Sequence, residues 1–122
     1  MWERNFQTGG FYASPRCHEL LGLGAGEQVG GVSDLLGRVH VEDQPRLRRA
    51  LTAPLRARRP IDQQVRARVG REGCWRWFRC RAQAEWGVEG KPLRLAGSIT
   101  DIGDERAAQE RLDRYQAFLA RV

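Results

Sequence analysis

Cys74-Trp75-Arg76-Trp77-Phe78-Arg79-Cys80-Arg81-Ala82-Gln83-Ala84-Glu85-Trp86 reads as one long strand. Its even positions, Cys74, Arg76, Phe78, Cys80, Ala82, Ala84 and Trp86, share one face, because side chains alternate along a strand. Its odd positions, Trp75, Trp77, Arg79, Arg81, Gln83 and Glu85, share the other. Phe78, Cys80, Ala82 and Ala84 assign the even face to the core, which turns Trp75 and Trp77 outward. Upstream, after Arg59-Pro60, Ile61, Val65, Ala67 and Val69 alternate with Asp62, Gln64, Arg66 and Arg68, the pattern of a half-buried antiparallel strand. Gly70 to Gly73 supplies the turn between these two segments. Downstream, Gly87 to Lys91 turns the chain into a third strand, Pro92 to Thr100, which carries Leu93, Leu95 and Ile99.

Working towards the N-terminus, Met1 to Phe6 alternates, Thr8-Gly9-Gly10 makes a turn and Phe11-Tyr12-Ala13 forms a second short strand, so a hairpin opens the chain. Ser14 and Pro15 then start a short helix that ends near Leu21 at Gly22, a side-chain cap being followed by a residue that has no N–H to satisfy. Glycine recurs from Gly22 to Gly31, which marks a loop. Ser33 is expected to cap a second short helix, Asp34 to Val39. In the main helix that follows, Glu42 and Asp43 are expected in the first turn, where the helix dipole favours acids. Leu47, Leu51 and Leu55 supply its apolar stripe, and a bend is expected near Pro54.

From Asp104 to Val122 no Gly or Pro interrupts a run of good helix formers. Ala108, Leu112, Tyr115, Leu119 and Val122 recur at spacings of four and three, a heptad seam. A run this short fits either a coiled coil or a single amphipathic helix. Strands at both ends bracketing the helices predict an α+β fold, a five-stranded antiparallel sheet with short helices on one face and a C-terminal exit helix.

A length of 122 residues fits one domain, and 41% hydrophobic with 30% charged residues is the composition of a folded chain. No run reaches the roughly 18 apolar residues of a membrane span, and nothing near Met1 resembles a signal peptide. This segment is expected to be soluble, with no membrane contact of its own, even if its parent is membrane-anchored. Since Met1 falls inside the first strand, preceding residues are expected in that parent. Cys17, Cys74 and Cys80 are odd in number and lack metal-site spacing. On one strand Cys74 and Cys80 stand roughly 20 Å apart, beyond disulfide reach. Three reduced thiols and a cytoplasmic location are therefore expected. The net charge is +6, and all of the 21 basic residues except Lys91 are arginine. A balance of this kind can bind phosphate chains. Here the arginines alternate with acids along strands and helices, as on a solvated face, and no specific nucleic-acid partner is expected.

The residues also resemble a known family. Phe11-Tyr12-Ala13-Ser14-Pro15 and Leu20-Leu21-Gly22 are similar to the second strand and first helix of PAS domains with a PAC segment. The resemblance is to the subgroup found in bacterial sensor histidine kinases and diguanylate cyclases. Val39-His40-Val41-Glu42-Asp43 resembles that family's His-Pro-Glu-Asp, with Val41 for Pro. Gly73-Cys74-Trp75-Arg76-Trp77-Phe78 resembles its Asp-Gly-Ser-Trp-Arg-Trp, with Glu72 for Asp and Cys74 for Ser. Gly97-Ser98-Ile99-Thr100-Asp101-Ile102-Gly103 resembles its Gly-x-x-x-Asp-Ile-Thr ending, with Gly103 for Thr. Gly103 gives no side-chain acceptor, so Asp101 or Asp104 must cap the outgoing helix and the junction is expected to be looser.

The resemblance implies a PAS/PAC sensor domain over 1–103 and a signalling helix over 104–122. It implies a sensory and dimerisation module of a multidomain bacterial signalling protein, relaying a signal to an output domain such as a histidine kinase or diguanylate cyclase in the same polypeptide. A homodimer through the outer sheet face and the C-terminal helix would use Trp75, Trp77, Leu112, Tyr115 and Leu119, with Asp101, Gly103 and Asp104 at the relay. Paired exposed indoles favour that interface, although their rings would equally cover arginine stems. Phe78, Cys80, Ala82 and Leu95 could line a ligand cavity; the same residues fill a solid core, and a solid or nearly solid interior is expected. The alternatives are a basic nucleic-acid-binding domain and a receptor for a small metabolite.

No cofactor is expected. His40 is explained by capping and His18 is expected to be exposed, which disfavours heme; the Asn-Cys-Arg-Phe stretch of the flavin-binding relatives is missing, which disfavours flavin. Nor is the chain expected to be an enzyme. Cys17 and His18 are helix neighbours that point about 100° apart, and no metal-binding cluster or phosphate loop is present.

Overall fold

The computed structural model describes residues 1–24, 27–70 and 73–122, the side chains of 52–57 excepted. The elements run β1 (Trp2–Asn5), β2 (Phe11–Ala13), α1 (Pro15–Leu20), α2 (Val32–Arg38), α3 (Gln44–Ala57), β3 (Ile61–Val69), β4 (Cys74–Trp86), β5 (Pro92–Asp101) and α4 (Gly103–Ala120). The strands form one antiparallel sheet in the order β2-β1-β5-β4-β3, so the N-terminal hairpin joins the C-terminal strand at the middle.

The alternation that defines β4 also divides the two faces of the sheet. Phe78 pairs with Val65 and Ala82 with Ile61, and all four are buried beneath the helices. Cys17 and Leu21 pack in one cluster with Phe78, while Val39 and Leu47 pack against Val65. Trp75 and Trp77 stand on the opposite face with Arg66 and Arg68 beside them in register. Burying these aliphatic and aromatic side chains is the main stabilising term, about 1.5–3 kcal/mol for each large one.

Close approach explains Gly97 in the middle of β5. A methyl group there would lie 2.6 Å from the Trp2 ring and 2.7 Å from the Arg81 carbonyl, so only glycine lets the indole lie flat on the sheet. Trp2 is 2% exposed as a result.

Several helix termini differ from expectation. Ser14 caps α1 as predicted, its Oγ accepting the Cys17 N–H at 3.2 Å. Ser33 does not cap α2, which begins at Val32 behind Gly31. The Asp34 carboxylate instead accepts the Gly30 N–H at 2.7 Å from inside the first turn. Glu42 and Asp43 precede α3 rather than sitting in its first turn. The Asp43 carbonyl accepts the Leu47 N–H, but its carboxylate leaves the helix for Arg66, which offers both a backbone N–H and a charged fork. Leu47 is buried and Leu51 half-buried; α3 continues as helix through Pro54 to Ala57, while the Leu55 side chain and Glu72 lie outside what is described. β5 runs one residue further than read, and α4 spans Gly103–Ala120 rather than 104–122.

Candidate functional site

The inner face of the sheet and the helices enclose a cavity of about 60 Å³. Phe78 and Cys80 from β4, Val65 from β3, Leu35 and Leu36 from α2 and Leu47 from α3 form its walls. Two of the four predicted lining residues therefore reach it. Ala82 and Leu95 do not: they pack with Trp2, Ala50 and Ile61 in the filled part of the core. Small-molecule sites usually enclose roughly 300–1,000 Å³, so the interior is close to filled. Burial pushes the Cys80 thiol up to about 11 and raises that of Cys17, so both sulfurs stay protonated and unreactive near neutral pH.

His18 is half-buried rather than exposed. Its Nδ1 lies 2.8 Å from the Ser14 carbonyl and its Nε2 accepts the Val29 N–H, because the loop after α1 folds back over the ring. His40 lies in the turn before α3, where its Nδ1 accepts the Glu42 N–H at 3.1 Å and its ring contacts Trp75 at 4.8 Å. Among the described residues no cluster of His, Cys, Asp and Glu could hold a metal ion.

On the outer face, two cations lie against Trp77. The Arg66 guanidinium lies 5.4 Å from its ring centroid and that of Arg106, from α4, lies 3.6 Å away. Arg106 also donates to Gln64 Oε1 at 2.6 Å. Arg66 is anchored in turn by the Asp43 carboxylate, from both its backbone N–H at 2.8 Å and its Nε at 3.0 Å, and by Glu42. The hydrogen bonds from Arg66 hold the Asp43 carboxyl down to about 2 against the upward push of burial. A continuous set of contacts, Asp43 to Arg66 to Trp77 to Arg106, thus joins the front of α3 to the front of α4. Arg66 and Arg106 were missed by local reading. The hairpin register carried the signal for Arg66, since the turn that pairs Val69 with Cys74 also sets Arg66 opposite Trp77.

The junction into α4 is pinned at three points. Ile102, 5% exposed, donates its N–H to the Trp77 carbonyl at 2.9 Å. Asp101 accepts the Gly103 N–H at 2.9 Å and a two-pronged bond from Arg76 at 2.7 and 3.3 Å. Burial pushes the Asp101 carboxyl up, but Arg76 and the Gly103 N–H outweigh it and leave it below the ordinary carboxylate value. A side chain at Gly103 would crowd this pair, a methyl there standing 3.1 Å from both Arg76 Nη2 and Asp101 Oδ1. Asp104 is exposed in the first turn. Beyond Ala107 every residue of α4 is exposed, including Leu112, Tyr115 and Leu119, together with Phe118, which the heptad reading left out. Trp75 is 49% exposed, while Trp77 is half-buried under Arg106.

Residues 11–99 match the family model described as PAS fold. The chain belongs to the PAS family. A similar solved structure is a sensory box histidine kinase/response regulator from Burkholderia thailandensis, 31% identical, with 99% of this chain and 89% of that one covered and a TM-score of 0.81. Another is the N-terminal domain of a diguanylate cyclase with a PAS/PAC sensor from Marinobacter aquaeolei, 28% identical over 86% of this chain and 95% of that one, TM-score 0.74. A domain of a light- and redox-sensing histidine kinase from Haloarcula marismortui, 20% identical over 83% and 86% of the two chains, shares the fold with a TM-score of 0.67. No curated protein matches the sequence. This PAS domain is thus a sensor domain resembling those of histidine kinases and diguanylate cyclases. None of its described helices is long and apolar enough to cross a membrane.

Proposed function

We propose that this PAS domain is the sensory and dimerisation unit of a larger signalling protein, with residues 1–103 as the sensor and 104–122 as the helix that relays its state to an output domain. The observation that carries the reading is the bare apolar stripe of α4. Leu112, Tyr115 and Leu119 are 48%, 59% and 49% exposed, on a helix whose every residue beyond Ala107 is exposed. Large apolar side chains at heptad spacing lose their contact with water when an identical stripe packs against them, each leucine contributing about 1–2 kcal/mol. Asp104, Glu105, Glu110 and Asp113 balance Arg106, Arg111, Arg114 and Arg121, so no net charge opposes pairing of two copies. Trp75 and the covered Trp77 add an outer-face surface beside the junction.

The output is inferred from the relatives, a histidine kinase and a diguanylate cyclase, and lies outside this chain. Cys17 and His18 do not make a nucleophile and base pair: Cys17 is fully buried and both nitrogens of the neighbouring His18 ring are occupied by backbone groups. Free thiols at Cys17, Cys74 and Cys80 fit a reducing, cytoplasmic setting. A nucleic-acid surface fits less well, because Arg66, Arg76, Arg79, Arg81 and Arg94 of the sheet are each paired with a carboxylate.

Sedimentation equilibrium tests the reading. The expected result is a concentration-dependent dimer whose dissociation constant rises at least about tenfold in Leu112→Glu, with thermal stability of the monomer unchanged. A strict monomer at millimolar concentration would overturn it.

A further inference from the structure

One end of the sheet gathers cations without counterions. β5 enters the sheet at Pro92, which pairs with Trp86 of β4 on one side, while on the other the Phe6 N–H donates to the Leu93 carbonyl. Each of these two aromatic rings carries a guanidinium: Arg4 lies 4.9 Å from the Phe6 centroid, and Arg58 lies 4.9 Å from that of Trp86. Strands two apart in a sheet stand about 10 Å from each other, so the two pairs flank the start of β5. Arg59 borders the same recess as Arg58 and Trp86. A methyl group on Gly90 would stand 3.1 Å from Arg58 Nη2, which sets the turn from Gly87 to Lys91 against this corner. Elsewhere on the sheet Arg76, Arg79 and Arg94 bind carboxylates. Among the described residues, no carboxylate pairs with the side chains of Arg4, Arg58, Arg59 or Lys91.

We propose that this end of the domain is a docking surface for a membrane rich in anionic phospholipid. Unpaired cations alone would suit any polyanion, and two features select a bilayer. Val88, at the tip of the turn, is 107% exposed. An apolar side chain there gains nothing beside a solvated phosphate backbone, but it leaves water on entering the boundary between headgroups and acyl chains. Phe6 and Trp86 are half-buried beneath their guanidiniums, and aromatic rings next to arginine are favoured where a membrane meets water. Little opposes the attraction. Glu3 and Glu85 are taken by Arg94, Glu89 in the turn is offset by Lys91, and no acid occurs from Gln44 to Ile61, the stretch that holds α3 and the corner after it. Contact from one side needs no spanning helix.

This surface is separate from the stripe of α4. β5 runs ten residues from Pro92 to Asp101, roughly 33 Å along the sheet, and α4 starts from the far end. A membrane held at the start of β5 therefore leaves the root of α4 free, and the two surfaces can be altered independently.

Flotation of the unaltered chain with vesicles of phosphatidylglycerol and phosphatidylcholine in equal parts, against vesicles of phosphatidylcholine alone, tests this at low salt. One cation at an anionic surface strengthens binding about fivefold. The net three charges of this end therefore give an expected preference of about a hundredfold for the anionic vesicles, lost at about 0.5 M salt. Arg58→Glu with Arg59→Glu is expected to weaken binding at least about tenfold, and Val88→Ser about threefold. Arg16→Glu with Arg121→Glu removes the same charge from exposed sites in α1 and at the end of α4, and is expected to cost less than about threefold. If the Arg58 and Arg59 variant fails to fold, the vesicle series and Val88→Ser still decide. No preference for anionic vesicles, equal losses in the two charge variants, or duplex DNA or polyglutamate bound as tightly as the vesicles would each overturn the proposal. Leu112→Glu is expected to keep the preference for anionic vesicles, so failure of the dimer reading and failure of this one are told apart.

Discussion

Asp43 shows how one side chain can serve two structures at once. Its backbone opens α3 while its carboxylate, 8% exposed, crosses to β3 and binds Arg66. A folded-state carboxyl near 2, against roughly 3.9 in an unfolded chain, ties stability to pH. Because the folded value is the lower one, the contribution is complete above about pH 5 and disappears as pH falls through about 2. It amounts to about 2 kcal/mol near neutral pH. Asp43→Asn should therefore lower the urea-unfolding free energy by about that amount at pH 7, with the gap to the unaltered protein closing towards pH 2; a gap constant over this range would contradict the assignment. Gly97 makes the opposite point, that an absent side chain can be structural. Gly97→Ala should cost about 1–3 kcal/mol by thermal unfolding, because the new methyl meets both the Trp2 ring and a backbone carbonyl. Local spacing revealed neither residue's role. The acceptor for Arg66 lies 23 positions away in sequence, and Trp2 reaches Gly97 across the sheet, whereas alternation along Cys74–Trp86 alone was enough to separate inward Phe78 from outward Trp75.

Among the elements, α4 is two structures in one helix. Its first turn is held to the sheet by Ile102, by the Asp101–Arg76 pair and by Arg106 over Trp77; beyond Ala107 every residue, those of the apolar stripe included, is exposed. A cation lying 3.6 Å from an indole centroid and shielded on one side contributes about 1–2 kcal/mol. Trp77→Ala should accordingly speed amide exchange in the first turn of α4 by about tenfold while leaving β3 and β5 protected. Unchanged exchange there would assign the docking to Ile102 and Asp101 alone. β3, β4 and α4 were legible because each has a strong period bounded by glycine or proline. The start of α2 was not, since the helix begins one residue before Ser33, behind Gly31, and the Asp34 carboxylate turns back to the Gly30 N–H instead of a side chain capping the first turn.

At the scale of the whole molecule, one sheet separates two kinds of chemistry. The inner face holds an apolar, nearly filled interior; the outer face holds paired charges, two indoles and the root of an exposed helix. Periodicity told which residues face inward but not which strands are neighbours, so the order β2-β1-β5-β4-β3 and the contribution of α2 to the cavity wall lay beyond it. Ala82 and Leu95 share the correct face yet miss the cavity for that reason: the helices above decide where the space falls. In the proposed dimer two copies meet along the seam of α4 in parallel, which places equivalent residues of the two chains opposite each other. Single cysteines at Leu112 and Leu119, compared with Arg114 and Ala117 on the far side of the helix, in a Cys74→Ser background, test this by the rate of disulfide crosslinking. Rapid crosslinking is expected at 112 and 119, where Cα atoms of the proposed dimer come within about 7 Å, and little at 114 and 117. Equal rates on both sides of the helix, or none at any position, would contradict it.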